Sequence, residues 1–128
     1  MIFKIIISLF VIILILNLLL ALFNGLLYPL LQFCKKKNEF GYIISDLGGY
    51  EHRGQVQKII GRQLGPNEEV HHINGKIWDN RRSNLALMTR RNHQRWHKRL
   101  EWMYEQKMFP AIKWQRKKLI EEFEARLF

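Results

Sequence analysis

The stretch VHHINGKIWDNRRSNLALMTRRNHQRWH, residues 70–97, decides how the rest of the chain is read. Glu69 to Ile73 alternates enough for a strand, Asn74-Gly75 is a strong turn signal, and Leu85 to Met88 suits a second strand. From about Arg90 the chain reads as helix until Pro110 kinks or breaks it. Strand neighbours point to opposite faces, so His71 and His72 cannot hold one ion in the same way. Residues four apart share a helical face, so His93 and His97 can point at the same ion. One of the paired histidines can then hold metal while the other faces a water or a substrate. That division of labour suits metal-assisted phosphodiester hydrolysis, in which a cation offsets phosphate charge and a base with a pKa of about 7 activates water.

Working outward, all five histidines of the 128-residue chain lie between His52 and His97. The length allows one small domain, with anything more being a tail or an anchor. The chain has 21 Lys and Arg against 11 Asp and Glu, a formal charge of +10. Its pI of about 10.1 points to a polyanionic partner, either nucleic acid or an anionic membrane surface. The single Cys34 excludes a disulfide framework and any zinc finger that needs two thiolates. A metal site here must use His, Asp, Glu or Asn.

From Ile5 to Cys34 there is no charged residue, and the run is apolar enough for a bilayer-spanning helix of about 20 residues. Residues 1–34 are therefore read as a hydrophobic transmembrane-like segment with a membrane contact over residues 5–34. A cleaved signal peptide is one alternative, although no A-x-A-like site follows and LLQFC lacks the small residue expected before a lipidated cysteine. An extension outside the working protein is another. Lys35, Lys36 and Lys37 outnumber Lys4, so a genuine anchor would place the following domain in the cytoplasm. All the acids and every Lys or Arg except Lys4 lie beyond residue 34.

Within that charged part, residues 35–100 read as one domain and 101–128 as a basic amphipathic C-terminal helix. Tyr42 to Ser45 and Tyr50 onward read as a short hairpin around Gly48-Gly49, and GQVQKIIGRQL as a helix closed near Gly61. A last helix, about Ala111 to Leu127, shows an apolar face of Ile112, Trp114, Leu119, Ile120, Phe123 and Leu127. It can dock in a groove, lie on a membrane or cover the small domain. Trp96, Trp102, Tyr104 and Phe109 read as packing residues rather than base-stacking ones. Between Lys76 and Arg99 the only acid is Asp79, so the basic residues there read as phosphate contacts: Arg81, Arg82, Arg90, Arg91 and Arg95, with Arg53 upstream and His52 read as either a structural or a phosphate-contacting residue.

The spaced pattern HHINGK..DNR..NL followed by NH...H resembles the HNH endonuclease family. The resemblance covers roughly Tyr50 to His97, and the approach EHRGQVQKIIGRQLGPNEEV resembles the upstream region of HNH proteins from phages and intron-borne elements. It implies an α+β fold, a small ββα-metal domain with flanking helices around one divalent ion, with DNA as substrate. It implies His72 as general base, His71 and His93 as metal ligands, His97 as an additional ligand, and Asn84 as the asparagine that ties the hairpin loop together. Asp79, Asn80 and Arg81 resemble the element that shapes that loop and are read as structural. Many intron-type relatives use Asp and Asn where this chain has His71 and His93, a set suited to magnesium; three imidazoles favour zinc, nickel or manganese. The ion stays open among Mg, Mn, Zn and Ni. Two rival readings are a non-catalytic metal-stapled DNA-binding module and a tethered domain that binds anionic lipid.

Overall fold

The computed structural model describes residues 2–46 and 48–128, and the chain divides into two compact units, one up to Lys35 and one over Lys36–Phe128. The first unit is helical from Ile2 to Phe33: α1 (Ile2–Leu22), a π turn over Phe23–Leu27, and α2 (Tyr28–Phe33). Pro29 sits at the start of α2 and has no N–H to offer the carbonyl of Gly25, which is where the helix widens. Asn17 is satisfied within the helix, its amide donating to the Ile13 carbonyl at 2.9 Å. Ile6–Gln32, 27 residues whose most apolar 18-residue stretch has a mean hydropathy of 3.1, is long and apolar enough to cross a membrane.

The second unit is α+β. It begins with isolated antiparallel bridges, Lys37 to Ile43 and Ile44 to Tyr50. The hairpin expected from Tyr42 onward goes no further than these bridges, because the residues after Tyr50 start α3 (Glu51–Ile60). That helix begins earlier than its glycine-led segment suggested, since His52 and Val56, four apart, both face inward. It closes as expected at Gly61, whose φ of 73° is the left-handed conformation that glycine adopts without cost.

The sheet has the order β1-β2-β3. β1 (Glu68–His72) and β2 (Leu85–Thr89) pair antiparallel from Glu68 opposite Thr89 to His72 opposite Leu85. Val56 of α3 packs with Val70, Leu85 and Leu87 on one face. The other face meets α4 (Arg90–Glu105) and α5 (Ile112–Phe123) through a core of Ile73, Ala86, Met88, Trp96, Leu100, Leu119, Phe123 and Ala125. The period of two thus assigns His72 to the α3 side and His71 to the α4 side.

α4 is capped by Thr89, whose hydroxyl accepts from the Asn92 N–H at 3.2 Å. It ends at Glu105 rather than running to Pro110; Lys107 turns left-handed with φ 56° and the Met108 N–H closes onto the Met103 carbonyl. Of the four aromatics read as packing residues only Trp96 is in the core. Trp102, Tyr104 and Phe109 are exposed, because the face of α4 that meets the core is the one carrying Trp96 and Leu100.

The last helix also departs from expectation. It stops at Phe123, Glu124 turns left-handed, and β3 (Arg126–Leu127) adds to β2 at Ala86 and Leu87. Its inward face is Gln115, Leu119 and Phe123, while Ile112 and Ile120 are exposed. Of the three roles open to it, the helix covers the sheet: residues 101–128 belong to the same compact unit as the strands.

Candidate active site

His71 leaves β1 toward α4, where His93 and His97 wait one helical turn apart. One ring nitrogen from each of the three lies within 4.8 Å of the other two, with His71 buried, His93 half-buried and His97 exposed. The His93 and His97 Nε2 atoms are 3.1 Å apart. Two nitrogens on one tetrahedral ion at about 2.0–2.1 Å stand roughly 3.3 Å apart, so the pair already has ligand spacing. Burial, helped by His97 and His93 nearby, pushes the His71 pKa down to about 3. Burial and His93 also lower His97. Both rings are thus kept neutral, as metal ligands must be.

Behind His93 stands Glu69, whose Oε2 is 2.6 Å from His93 Nδ1 and whose other oxygen accepts from Arg90 Nε at 2.9 Å. The carboxylate draws the ring proton to Nδ1 and leaves the Nε2 lone pair facing its partners, an arrangement common behind metal-bound histidines. The donor set fits a divalent ion, with one rearrangement. His71 Nε2 accepts from the buried Trp96 indole N–H at 3.1 Å, and a neutral imidazole has one lone pair to give. Trp96→Phe is therefore expected to tighten Zn²⁺ or Co²⁺ binding by about 5-fold or more, since the indole no longer competes. Calorimetry or Co²⁺ absorption titration reads this, and weaker binding in the variant would refute the competition.

His72 faces the other way. Its Nε2 lies 2.8 Å from Asn80 Oδ1, while Asn80 Nδ2 donates to Glu51 Oε2 at 2.8 Å. An amide oxygen only accepts, so His72 carries its proton on Nε2 and its lone pair on Nδ1. Burial lowers the His72 pKa, opposed by Asn80 and by the nearby Asp79 charge. The His52 ring meets His72 edge-on at 4.9 Å, beside Tyr42. His52 is itself buried, which with the neighbouring His72 and Arg53 drives its pKa to about 3. Of the structural and phosphate-contacting roles open to it in the sequence, its burial favours the structural one, for it shares the inward face of α3 with Val56.

The loop between the strands is held by side chains. Asn84 Oδ1 accepts from the Asn74 N–H at 2.9 Å, and Asn84 Nδ2 donates to the Asp79 carbonyl at 2.8 Å. Burial works to raise the Asp79 carboxyl, but bonds from Arg81 and Asn74 outweigh it and keep the pKa low. Gly75, with φ 72°, makes the tight turn that brings its N–H to the His72 carbonyl. At this end of β1 the two faces meet: a cleft of about 610 Å³ is lined by His71, His72, Gly75 and His97 with Glu101 and Tyr104. A larger groove of about 1040 Å³ runs along α3 past Arg53, Lys58 and Arg62. Its walls hold no histidine, so the chemistry is assigned to the smaller cleft.

The surface arginines differ in how free they are. Arg82 and Arg91 are exposed, and Arg95 lies over the Phe123 ring at 5.6 Å. Arg53 donates to the Glu68 carbonyl, Arg81 forks onto Asp79, and Arg90 is held by Glu69.

Residues 50–95 match the HNH endonuclease family model. This stretch belongs to the HNH endonuclease family. No curated protein and no solved structure matches the chain. The HNH match takes in α3, both long strands and the first turns of α4, and it implies a nucleic-acid substrate. It ends at Arg95, so His97 joins the HNH residues through geometry alone. Glu51, Asn80 and Glu69 do not stand out as functional in the sequence. Glu69 alone carried a local signal, lying two residues before His71 on the same side of the strand.

Proposed function

We propose that Lys36–Phe128 is a metal-dependent DNA endonuclease whose reaction takes place in the cleft at the end of β1. One observation carries this reading: His71 and His97, two of the three histidines whose ring nitrogens converge, line the same cleft as His72, a fourth histidine with its lone pair on Nδ1, from opposite faces of one strand. A divalent cation held by His71, His93 and His97 would supply positive charge to the scissile phosphate. Neutral His72 takes a proton from water at Nδ1; the water oxygen bonds to phosphorus as the bond to the 3′-oxygen breaks, and that oxygen takes up a proton from solvent, leaving 5′-phosphate and 3′-hydroxyl ends. Asn84 keeps the loop, and through it Asn80, in register with His72. Exposed Arg82 and Arg91 are suited to backbone phosphates, a contact that gives affinity without sequence information.

The apolar helix of the first unit is read as an anchor. Its 27 residues extend about 40 Å against a hydrocarbon core of about 30 Å, enough to span with tilt, and Lys35 to Lys37 favour a cytoplasmic nuclease. The test is incubation of the full chain, in detergent, with supercoiled plasmid and Mg²⁺, Mn²⁺, Ni²⁺ or Zn²⁺ in turn. Nicking in at least one metal is expected. Plasmid binding with no nicking in any of them would make this a non-catalytic DNA-binding module.

A further inference from the structure

The hydrogen bonds behind His72 form a chain with a direction. Glu51 Oε2 accepts from Asn80 Nδ2 at 2.8 Å, and Asn80 Oδ1 faces His72 Nε2 at 2.8 Å. A carboxylate accepts and does not donate, so Glu51 requires the NH₂ end of the Asn80 amide. The opposite amide orientation would set two oxygens against each other at hydrogen-bond distance. With NH₂ committed to Glu51, the amide oxygen must face the imidazole, and an oxygen there requires a proton on Nε2. The lone pair is thereby confined to Nδ1. Each link is forced by donor and acceptor identity, and the chain joins the first turn of α3 to the end of β1, with Glu51 and Asn80 29 positions apart in sequence.

We propose that Glu51 is a positioning residue for the general base: through Asn80 it selects which nitrogen of His72 receives the proton in phosphodiester hydrolysis. This rests on the reading of His72 as that base. Without the carboxylate the Asn80 amide is free to rotate. Its NH₂ end then donates to Nε2, the ring proton moves to Nδ1, and the nitrogen needed for water carries no lone pair. His52 packs against the ring of His72 and holds its plane without choosing between its nitrogens. Asn80 is fully buried, so no solvent competes for either end of its amide.

The test compares Glu51→Ala, Glu51→Gln and Glu51→Lys in the full chain, reading the ¹⁵N ring shifts of His72 and the kinetics of plasmid nicking. The wild type is expected to show one tautomer, protonated on Nε2. Glu51→Ala should give a mixture, with kcat reduced by about 10- to 100-fold and KM nearly unchanged. Glu51→Gln, which can present its amide oxygen to Asn80, should restore both readouts. Glu51→Lys, a donor only, should turn the amide round, protonate Nδ1 and abolish most of the activity, by about 100-fold or more. If the tautomer is the same in Glu51→Ala as in wild type, the proposal is overturned, whatever the rates do. Where Glu51→Lys does not fold, the Ala and Gln variants still decide. A wild type that cuts nothing, with tautomers that follow the Glu51 substitutions, would refute the nuclease reading and leave the proton-directing chain standing.

Discussion

Replacing His72 with Ala is expected to slow plasmid nicking by about 10²- to 10⁴-fold while metal binding is retained. The range follows from what a positioned base contributes to a proton transfer, and the retention from geometry. His72 points to the α3 side of the sheet and bonds Asn80, whereas the metal trio lies on the α4 side. Removing a ring that is 5% exposed also opens a small void beside His52 and Tyr42, so folding must be checked by thermal melting of the variant. The comparison that matters is therefore rate per metal-loaded, folded molecule. A variant that binds metal, melts near the wild type and nicks at an unchanged rate would remove His72 from the chemistry.

His93→Ala should act on the ion itself. His93 is the link of the trio: its Nδ1 meets Glu69, its Nε2 stands 3.1 Å from His97, and its ring packs on His71. Its loss leaves a two-histidine site, with Glu69 still held by Arg90 but no longer backing a ligand. Affinity for Zn²⁺ or Mn²⁺ is expected to fall by about 100-fold or more, and nicking to disappear at metal concentrations that saturate the wild type. Titration with a metallochromic competitor measures the first and a plasmid assay at rising metal the second. Undiminished affinity would mean that the ion is held elsewhere.

Much of this site could be read from residues 70–97 because its logic is local. Alternation put His71 and His72 on opposite faces, helical spacing put His93 and His97 together, and Asn74-Gly75 marked the turn. What escaped depends on packing between distant segments. Glu51 becomes relevant when α3 lies against the loop that holds Asn80, and nothing in EHRGQVQKII announces that. His52 could be read as structural or as a phosphate contact, and helical phase, which turns it inward with Val56, decides between them. The C-terminal segment misled for a different reason. Its apolar positions were assigned to one long helix, whereas the chain reverses at Glu124, a non-glycine residue in a left-handed conformation that propensity does not foresee. With the helix shortened, Leu127 became part of a strand, and the buried stripe passed through Gln115 in place of Ile112 and Ile120.

That short strand has a consequence for how the molecule behaves among copies of itself. β2 reads Leu-Ala-Leu-Met-Thr, with its four apolar residues all buried, and such a segment with a bare edge is a ready template for cross-chain pairing and aggregation. β3 occupies that edge at Ala86 and Leu87. β3 thus acts as a shield: it takes up the pairing groups at the middle of β2 and keeps Ala86 and Leu87 from a strand of another copy.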